Sequence, residues 1–245
     1  MWPSISVVIP VYNSSDSLEE LYERLLHILK RICQRYEIIM VDDGSRDDSF
    51  KKILQLRSKD RRVKAISLAG NFGQQNALLC GFHYATGEYI ITLDDDLQHL
   101  PEEIEKLLLT LDKGYDAVFG IPTVKQHSLY RRIGSKLTNH LFNRITDKLE
   151  GIKISSFRAF KRNLLEKIIS EKTSFVYISA IIFKYTDNVG NVIVEHDSRK
   201  YGKSNYHFFK LLTLFLKLYI YYSKSSLLKV FTSSRPQYEI KDIRL

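Results

Sequence analysis

The sequence predicts an α/β protein built on a doubly wound, mostly parallel sheet, followed by an amphipathic helical region. Three observations carry this. Strand-like and helix-like patterns alternate at regular intervals through the first 120 residues. Repeated β–α–β units of that kind form a right-handed, doubly wound sheet. Polar or acidic residues follow three of the strand patterns directly, and such sheets bind ligands beyond the carboxyl ends of their strands. From residue 206 onward, aromatics and leucines dominate and lysines interrupt them.

Residues 5–11 form a continuous β-branched run, as expected of a strand buried on both faces. Residues 15–32 then show helical spacing through Leu18, Leu21, Tyr22, Leu25, Ile28, Leu29 and Ile32, with a Ser/Asp start suited to capping. Residues 37–41 read as the second strand and 47–56 as the second helix. A third strand at 63–68 leads through Ala69-Gly70-Asn71-Phe72-Gly73 to a helix at about 74–85. A fourth strand follows at 88–93, then a helix at 101–111 with Pro101 in its first turn, and a fifth strand at 116–120. Farther on, residues 129–145 fit an amphipathic helix, 156–162 alternate basic and aromatic groups, and 191–195 read as a short strand.

With 245 residues, 44% hydrophobic and 27% charged, the composition is that of a globular chain. Disordered, collagenous and disulfide-scaffold classes are excluded. Residues 1–150 carry 20 basic and 21 acidic groups, whereas 151–245 carry 17 and 7, so the whole excess of +9 lies in the later part. That asymmetry points to an anionic partner, either nucleic acid or an acidic membrane surface. No nucleic-acid motif is recognisable. Cys33 and Cys80 fall in apolar, helix-like segments and read as buried thiols of a reducing compartment. Residues 1–4 lead straight into a strand, with no signal-peptide pattern. The most apolar later stretch, 208–222, is broken by Lys210 and Lys217, so no membrane span is expected. Lys210, Lys217 and Lys224 recur at heptad spacing on an otherwise apolar helix, the pattern of a helix lying in a membrane interface. The competing reading is a core helix with solvent-facing lysines.

The strand ends hold the chemistry. They read Pro10-Val11-Tyr12-Asn13, Asp42-Asp43-Gly44-Ser45 and Asp94-Asp95-Asp96-Leu97-Gln98. No glycine-rich dinucleotide or Walker loop occurs at a strand–helix junction. Clustered carboxylates repel phosphate unless a divalent cation bridges them, and the oxygens of Asp94 and Asp96 suit Mg²⁺ or Mn²⁺. A turn with capping aspartates is the plainer alternative; it explains one Asp better than three in succession. Asp42-Asp43-Gly44-Ser45 alone is a weaker signal, since Asp-Gly is common turn chemistry.

As a set, Val7 to Asn13, Val41 to Ser45 and Leu93-Asp94-Asp95-Asp96-Leu97-Gln98-His99 resemble the family-2 glycosyltransferases, which share the nucleotide-sugar-binding GT-A fold. The Leu-Gln-His extension and the following Pro-Glu-Glu-Ile are similar to the dolichyl- and polyprenyl-phosphate sugar transferases of that family. Ser156-Phe157-Arg158-Ala159 adds to the likeness, as does the stretch from Arg199 to Tyr206, which is similar to the family's R-x-x-G-x-S-x-Y loop. The resemblance implies a catalytic domain over 1–205; the apolar, lysine-striped stretch 206–232 is expected to form membrane-interfacial helices, and 233–245 a tail. It implies that Pro10, Tyr12, Asn13, Asp42, Asp43 and Asn71 border the nucleotide. Asp94, Asp96 and Gln98 would hold the metal and donor diphosphate, over which Arg199 and Lys203 close. Arg131, Arg132, Ser135 and Arg158 would meet the acceptor phosphate. Many relatives carry two transmembrane helices after the catalytic domain. None is expected here, although the stretch from Arg235 to Ile240 looks like the tail that follows them.

The expected reaction is inverting transfer of a sugar from a nucleotide sugar to a polyprenyl phosphate. Asp94, Asp95, Asp96 and Arg199 form the catalytic set. An acceptor phosphate is already anionic and needs no general base; a hydroxyl acceptor does, and Asp95 is then the candidate. The alternatives are transfer to a sugar hydroxyl in polysaccharide or O-antigen synthesis, or a non-catalytic nucleotide-sugar-binding subunit. The chain is expected to work in the cytoplasm, peripherally on the cytoplasmic face of an anionic membrane, with room for a membrane-protein partner.

Overall fold

A computed structural model of the chain describes residues 1–123, 151–173, 175–197, 221–222 and 237–245. The strands are β1 (Trp2–Val11), β2 (Cys33–Asp42), β3 (Val63–Leu68), β4 (Tyr89–Thr92), β5 (Ala117–Pro122), β6 (Arg158–Lys161), β7 (Val189–Val194) and β8 (Ile240–Arg244). They make one sheet of eight strands in the order β7-β5-β6-β4-β1-β2-β3-β8. β1 pairs in parallel with β2 and β4, β2 with β3, and β5 with β7. β6 runs antiparallel to both β4 and β5, and β8 antiparallel to β3. All strands except β6 and β8 therefore point the same way, the mostly parallel sheet that the alternating patterns predict.

The helices are α1 (Leu18–Ile32), α2 (Ser49–Lys59), α3 (Gln74–His83), α4 (Ile104–Leu111), α5 (Arg162–Ser170) and α6 (Ile178–Tyr185). Successive side chains of a strand face opposite ways, so each strand feeds two cores. Ile5, Val7, Ile9 and Val11 pack with α1, α2 and α4. Val8, Ile39, Val41 and Ile66 pack with α3, α5 and α6 on the other side. All seven apolar positions picked out by helical spacing in α1 are buried. Full burial of one such Leu or Ile is worth about 1.5–3 kcal/mol relative to exposure.

The structure departs from the expectations at definable points. Cys33 is no helical residue: it caps α1 in an extended conformation (φ −134°, ψ 159°) and opens β2. The chain passes from helix to strand without a turn, so β2 begins four residues before the expected position 37. Cys33 and Cys80 are both free and buried, as expected. Ser17 makes no side-chain cap on α1; its hydroxyl bonds the Ser14 and Asp95 carbonyls instead. Ile240–Arg244, read as part of a tail, adds β8 to the sheet edge, and the Leu245 carbonyl accepts from Arg57 at 2.5 Å. Among the described residues, no helix is long and apolar enough to cross a membrane.

Candidate functional site

The carboxyl ends of β1, β2 and β4 lie side by side. Val11 is in register with Asp42, and Val8 with Thr92. Hydrogen bonds between the loops beyond them fix their relative positions. The Asn13 amide donates to Ser45 Oγ at 2.9 Å, and Asn13 Oδ1 accepts from the Arg46 amide at 2.8 Å. Asn13 itself holds a positive φ of 53°. Tyr12 is exposed at the strand end and Pro10 is buried within it.

Asp42 and Asp43 are both buried but do different things. Asp42 accepts from Ser67 Oγ at 3.1 Å and from the Ser45 amide at 3.3 Å. Asp43 accepts from the amides of Phe72 and Gly73, at 2.7 and 2.8 Å, at the start of α3. Burial pushes its carboxyl up to about 6 against the pull of those two amides. Asp43 thus binds the Asn71-bearing loop to the turn after β2. Gly44 completes the junction. Its φ is +69°, and a Cβ there would lie 2.5 Å from the Gly70 carbonyl carbon, so glycine is required on both counts.

In the acidic turn after β4 the three carboxylates face different partners. Asp95 accepts from the Tyr12 amide at 3.1 Å, with the Ser14 hydroxyl also bonded to it, and its own carbonyl accepts from Ser17 Oγ at 2.6 Å. Burial raises the Asp95 carboxyl to about 6. Asp96 Oδ1 accepts from the Gln98 amide at 3.1 Å, and Leu97 between them has φ 61°. Asp94 is held at both oxygens: Oδ1 accepts from Gln74 Nε2 at 2.6 Å and Oδ2 from Ser156 Oγ at 2.7 Å. His99 Nε2 lies 3.9 Å from Asp94 Oδ2 and 3.3 Å from Ser156 Oγ. Burial holds the His99 imidazole toward its neutral form, against the nearby carboxylates.

Among the described residues, no three carboxylate, thiol or imidazole groups converge closely enough to hold a metal ion alone. Two carboxylates and the Gln98 amide oxygen still suit a hard cation that takes its remaining ligands from a diphosphate, the usual arrangement for Mg²⁺. The donor set fits the expected ion when substrate oxygens complete it.

Arg158 departs from a surface role. It is 1% exposed, donates to Thr92 Oγ1 at 3.1 Å and Ser179 Oγ at 2.9 Å, and lies over the Phe119 ring. Burial lowers its guanidinium to about 10. Among the described residues no carboxylate forms an ion pair with it. Arg131, Arg132, Ser135, Arg199 and Lys203 lie outside the described residues. Gln74, His99 and Ser156 were not expected in the site. Ser156 and His99 do stand in the Ser-Phe-Arg-Ala and Leu-Gln-His motifs, but nothing in the sequence marks Gln74. An open cleft of about 730 Å³, lined by Trp2, Arg31, Tyr89 and Asp112 among others, lies by the opposite end of β1 and includes none of these groups.

Comparison with known proteins identifies the family and the fold. Residues 6–169 match the family model described as glycosyl transferase family 2. Over 217 residues the chain is 39% identical to an undecaprenyl-phosphate 4-deoxy-4-formamido-L-arabinose transferase of Proteus mirabilis, covering 87% of this chain. It is 38% identical to the protein of that name in Klebsiella pneumoniae, over the same share. The matched region spans 66% of each relative's own length. Among solved structures, glucosyl-3-phosphoglycerate synthase from Mycobacterium tuberculosis, in complex with Mn²⁺, UDP-glucose and phosphoglyceric acid, superposes with a TM-score of 0.67. It is 17% identical and covers 89% of this chain and 78% of that one. That likeness establishes the GT-A architecture.

Proposed function

The chain belongs to glycosyltransferase family 2, and from that premise we propose that it transfers a sugar from a nucleotide sugar to the phosphate of a polyprenyl lipid, inverting the anomeric carbon. The observation that carries the reading is the acidic turn itself. At the carboxyl end of β4, Asp94 is held at both oxygens, while Asp95 braces the adjoining loop. Pro10, Tyr12, Asn13, Asp42, Asp43 and Asn71 border the nucleoside side, some by contact and some, like Asp43, by holding the loops. Asp94, Asp96 and Gln98 take the diphosphate side and would hold Mg²⁺ or Mn²⁺. Such an ion supplies Lewis-acid stabilisation of charge on the departing diphosphate. Arg199 and Lys203 are assigned to the same diphosphate, where fixed cations offset the developing charge.

The environment of Asp95 favours a phosphate acceptor over a hydroxyl. Its carboxylate is taken up by the Tyr12 amide and the Ser14 hydroxyl, which leaves it poorly placed to take a proton from an acceptor. A phosphate acceptor needs no such base. The names of the relatives point to the same acceptor class, undecaprenyl phosphate. Arg131, Arg132, Ser135 and Arg158 are assigned to it, since guanidinium groups match phosphate geometry. Arg158, 1% exposed and bonded to Thr92 and Ser179, would act on that phosphate as a buried positive charge and not by direct contact. The lipid acceptor implies work at a membrane surface, and we assign that contact to residues 206–232, on the cytoplasmic face, alone or with a membrane-protein partner.

The test is transfer of radiolabelled sugar from a panel of nucleotide sugars to polyprenyl phosphate and, in parallel, to sugar acceptors. Label should enter the lipid fraction, require Mg²⁺ or Mn²⁺, and vanish in Asp96→Asn, whose neutral amide cannot balance a cation. Turnover in excess chelator, or label entering only the sugar acceptors, would overturn the reading.

A further inference from the structure

We infer that Ser156, backed by His99, is the positioning residue that sets the Asp94 carboxylate for its cation and diphosphate; the inference rests on the role of Asp94 proposed above. The fold places it there. β6 pairs antiparallel with β4, with Arg158 opposite Thr92. Continuing that register two residues beyond each end sets Ser156 opposite Asp94. The Ser156 backbone is fixed by its carbonyl, which accepts from Thr92 Oγ1 at 2.5 Å. Its hydroxyl donates to Asp94 Oδ2 at 2.7 Å.

With the hydroxyl proton directed at the carboxylate, the lone pairs of Ser156 Oγ are left for a donor. His99 Nε2 at 3.3 Å fills that role, which puts the imidazole proton on Nε2. His99 is 7% exposed, stacked on the Phe157 ring at 5.2 Å, and its Nδ1 has no hydrogen-bond partner among the described residues. A backbone bridge to His196 fixes its main chain as well. The relay His99–Ser156–Asp94 therefore approaches Asp94 from the protein side. Among the described residues, Oδ1 is met by the side-chain amide of Gln74, an exposed residue that a ligand can displace. Pinning one carboxylate oxygen from behind leaves the other presented in one direction, as outer partners do for metal ligands in general.

The experiment is Mn²⁺ titration of the full chain with UDP present to complete the donor set, read by electron paramagnetic resonance as protein-bound ion against free and UDP-bound ion, with folding checked by circular dichroism. The parent protein should bind Mn²⁺ and Asp94→Asn should not. Ser156→Ala should weaken binding about 10-fold, the low end of the effect seen for outer partners, and Ser156→Thr, which keeps the hydroxyl, should restore most of it. Should Ser156→Ala fail to fold, His99→Leu and His99→Gln make the same comparison, because Gln keeps a donor where Nε2 stood. Folded Ser156→Ala or His99→Leu that binds as tightly as the parent, while Asp94→Asn does not, would overturn the inference and leave the Asp94 reading intact. Binding by Asp94→Asn equal to the parent's would overturn both.

Discussion

Replacing Gly44 by alanine tests whether the loops around the site form one braced unit. Two separate penalties apply. Gly44 sits at φ +69°, and the left-handed region costs a residue with a Cβ about 1–2 kcal/mol. The added methyl would also lie 2.5 Å from the Gly70 carbonyl carbon, 2.8 Å from its oxygen and 2.9 Å from the Asn71 nitrogen. These are backbone atoms that no rotamer change can clear, and forced overpacking of this sort costs about 1–3 kcal/mol. The sum, about 2–5 kcal/mol, corresponds to a fall in melting temperature of roughly 4–20 °C for a chain of this size. Relief must come from moving the 70–73 loop, which also pulls on the Asp43 bonds to Phe72 and Gly73. Weaker donor binding should therefore accompany the loss of stability. Gly70→Ala is the control, since its Cβ would meet nothing nearer than a Phe72 ring carbon at 4.0 Å. Differential scanning calorimetry and nucleotide-sugar calorimetry read both effects. If Gly44→Ala melts with the parent and binds donor as well, the two loops are not braced as described.

Further outcomes follow from the same geometry. The raised Asp43 carboxyl, at about 6 against 3.8 unfolded, makes the folded state hold its proton more tightly, so stability present below pH 4 should be lost as pH rises through 6. The loss is about 3 kcal/mol at most, and urea melts of Asp43→Asn, which cannot titrate, should lack that component. Tyr222→Phe should destabilise by about 2 kcal/mol, because its hydroxyl donates to the Phe175 carbonyl at 2.7 Å and accepts from the Tyr177 amide at 3.2 Å; an unchanged thermal melt would show those backbone groups finding other partners. Reversing Lys210, Lys217 and Lys224 to Glu should release the protein from anionic liposomes in co-sedimentation. Each cation near such a surface is worth about 1 kcal/mol, and a parent protein that stays in the supernatant at low salt would refute the membrane assignment.

What the sequence made legible is what depends on local pattern. Helical spacing picked out the buried face of α1 residue by residue, and strand alternation located the acidic ends of β2 and β4. Elements whose form is decided by distant partners were not legible. The Arg158–Lys161 segment reads as a basic and aromatic stretch, and becomes β6 only because β4 and β5 leave a gap between them that an antiparallel strand fills. Ile240–Arg244 alternates apolar and charged groups weakly and becomes a strand through the open edge of β3. The same limit applied to the acidic triplet. Three adjacent aspartates look equivalent in sequence, yet the turn separates them. Asp95 is directed back to the β1 loop, Asp94 is held across to β6, and Asp96 caps its own turn. That division needs the turn to be tight, which explains why the two non-glycine residues with positive φ among those described, Asn13 and Leu97, flank the contact that Asp95 makes. Strain of this kind persists only where surrounding bonds over-determine it. Here the bonds are the Tyr12 amide to Asp95, the Ser17 hydroxyl to the Asp95 carbonyl and the Gln98 amide to Asp96. A middle residue without a carboxylate would keep the outer two aspartates in sequence but release the loop after β1. On the proposed reading Asp95 acts on donor binding through structure, so its loss should raise donor KM, in initial-rate kinetics, well before it lowers the rate of the bound complex.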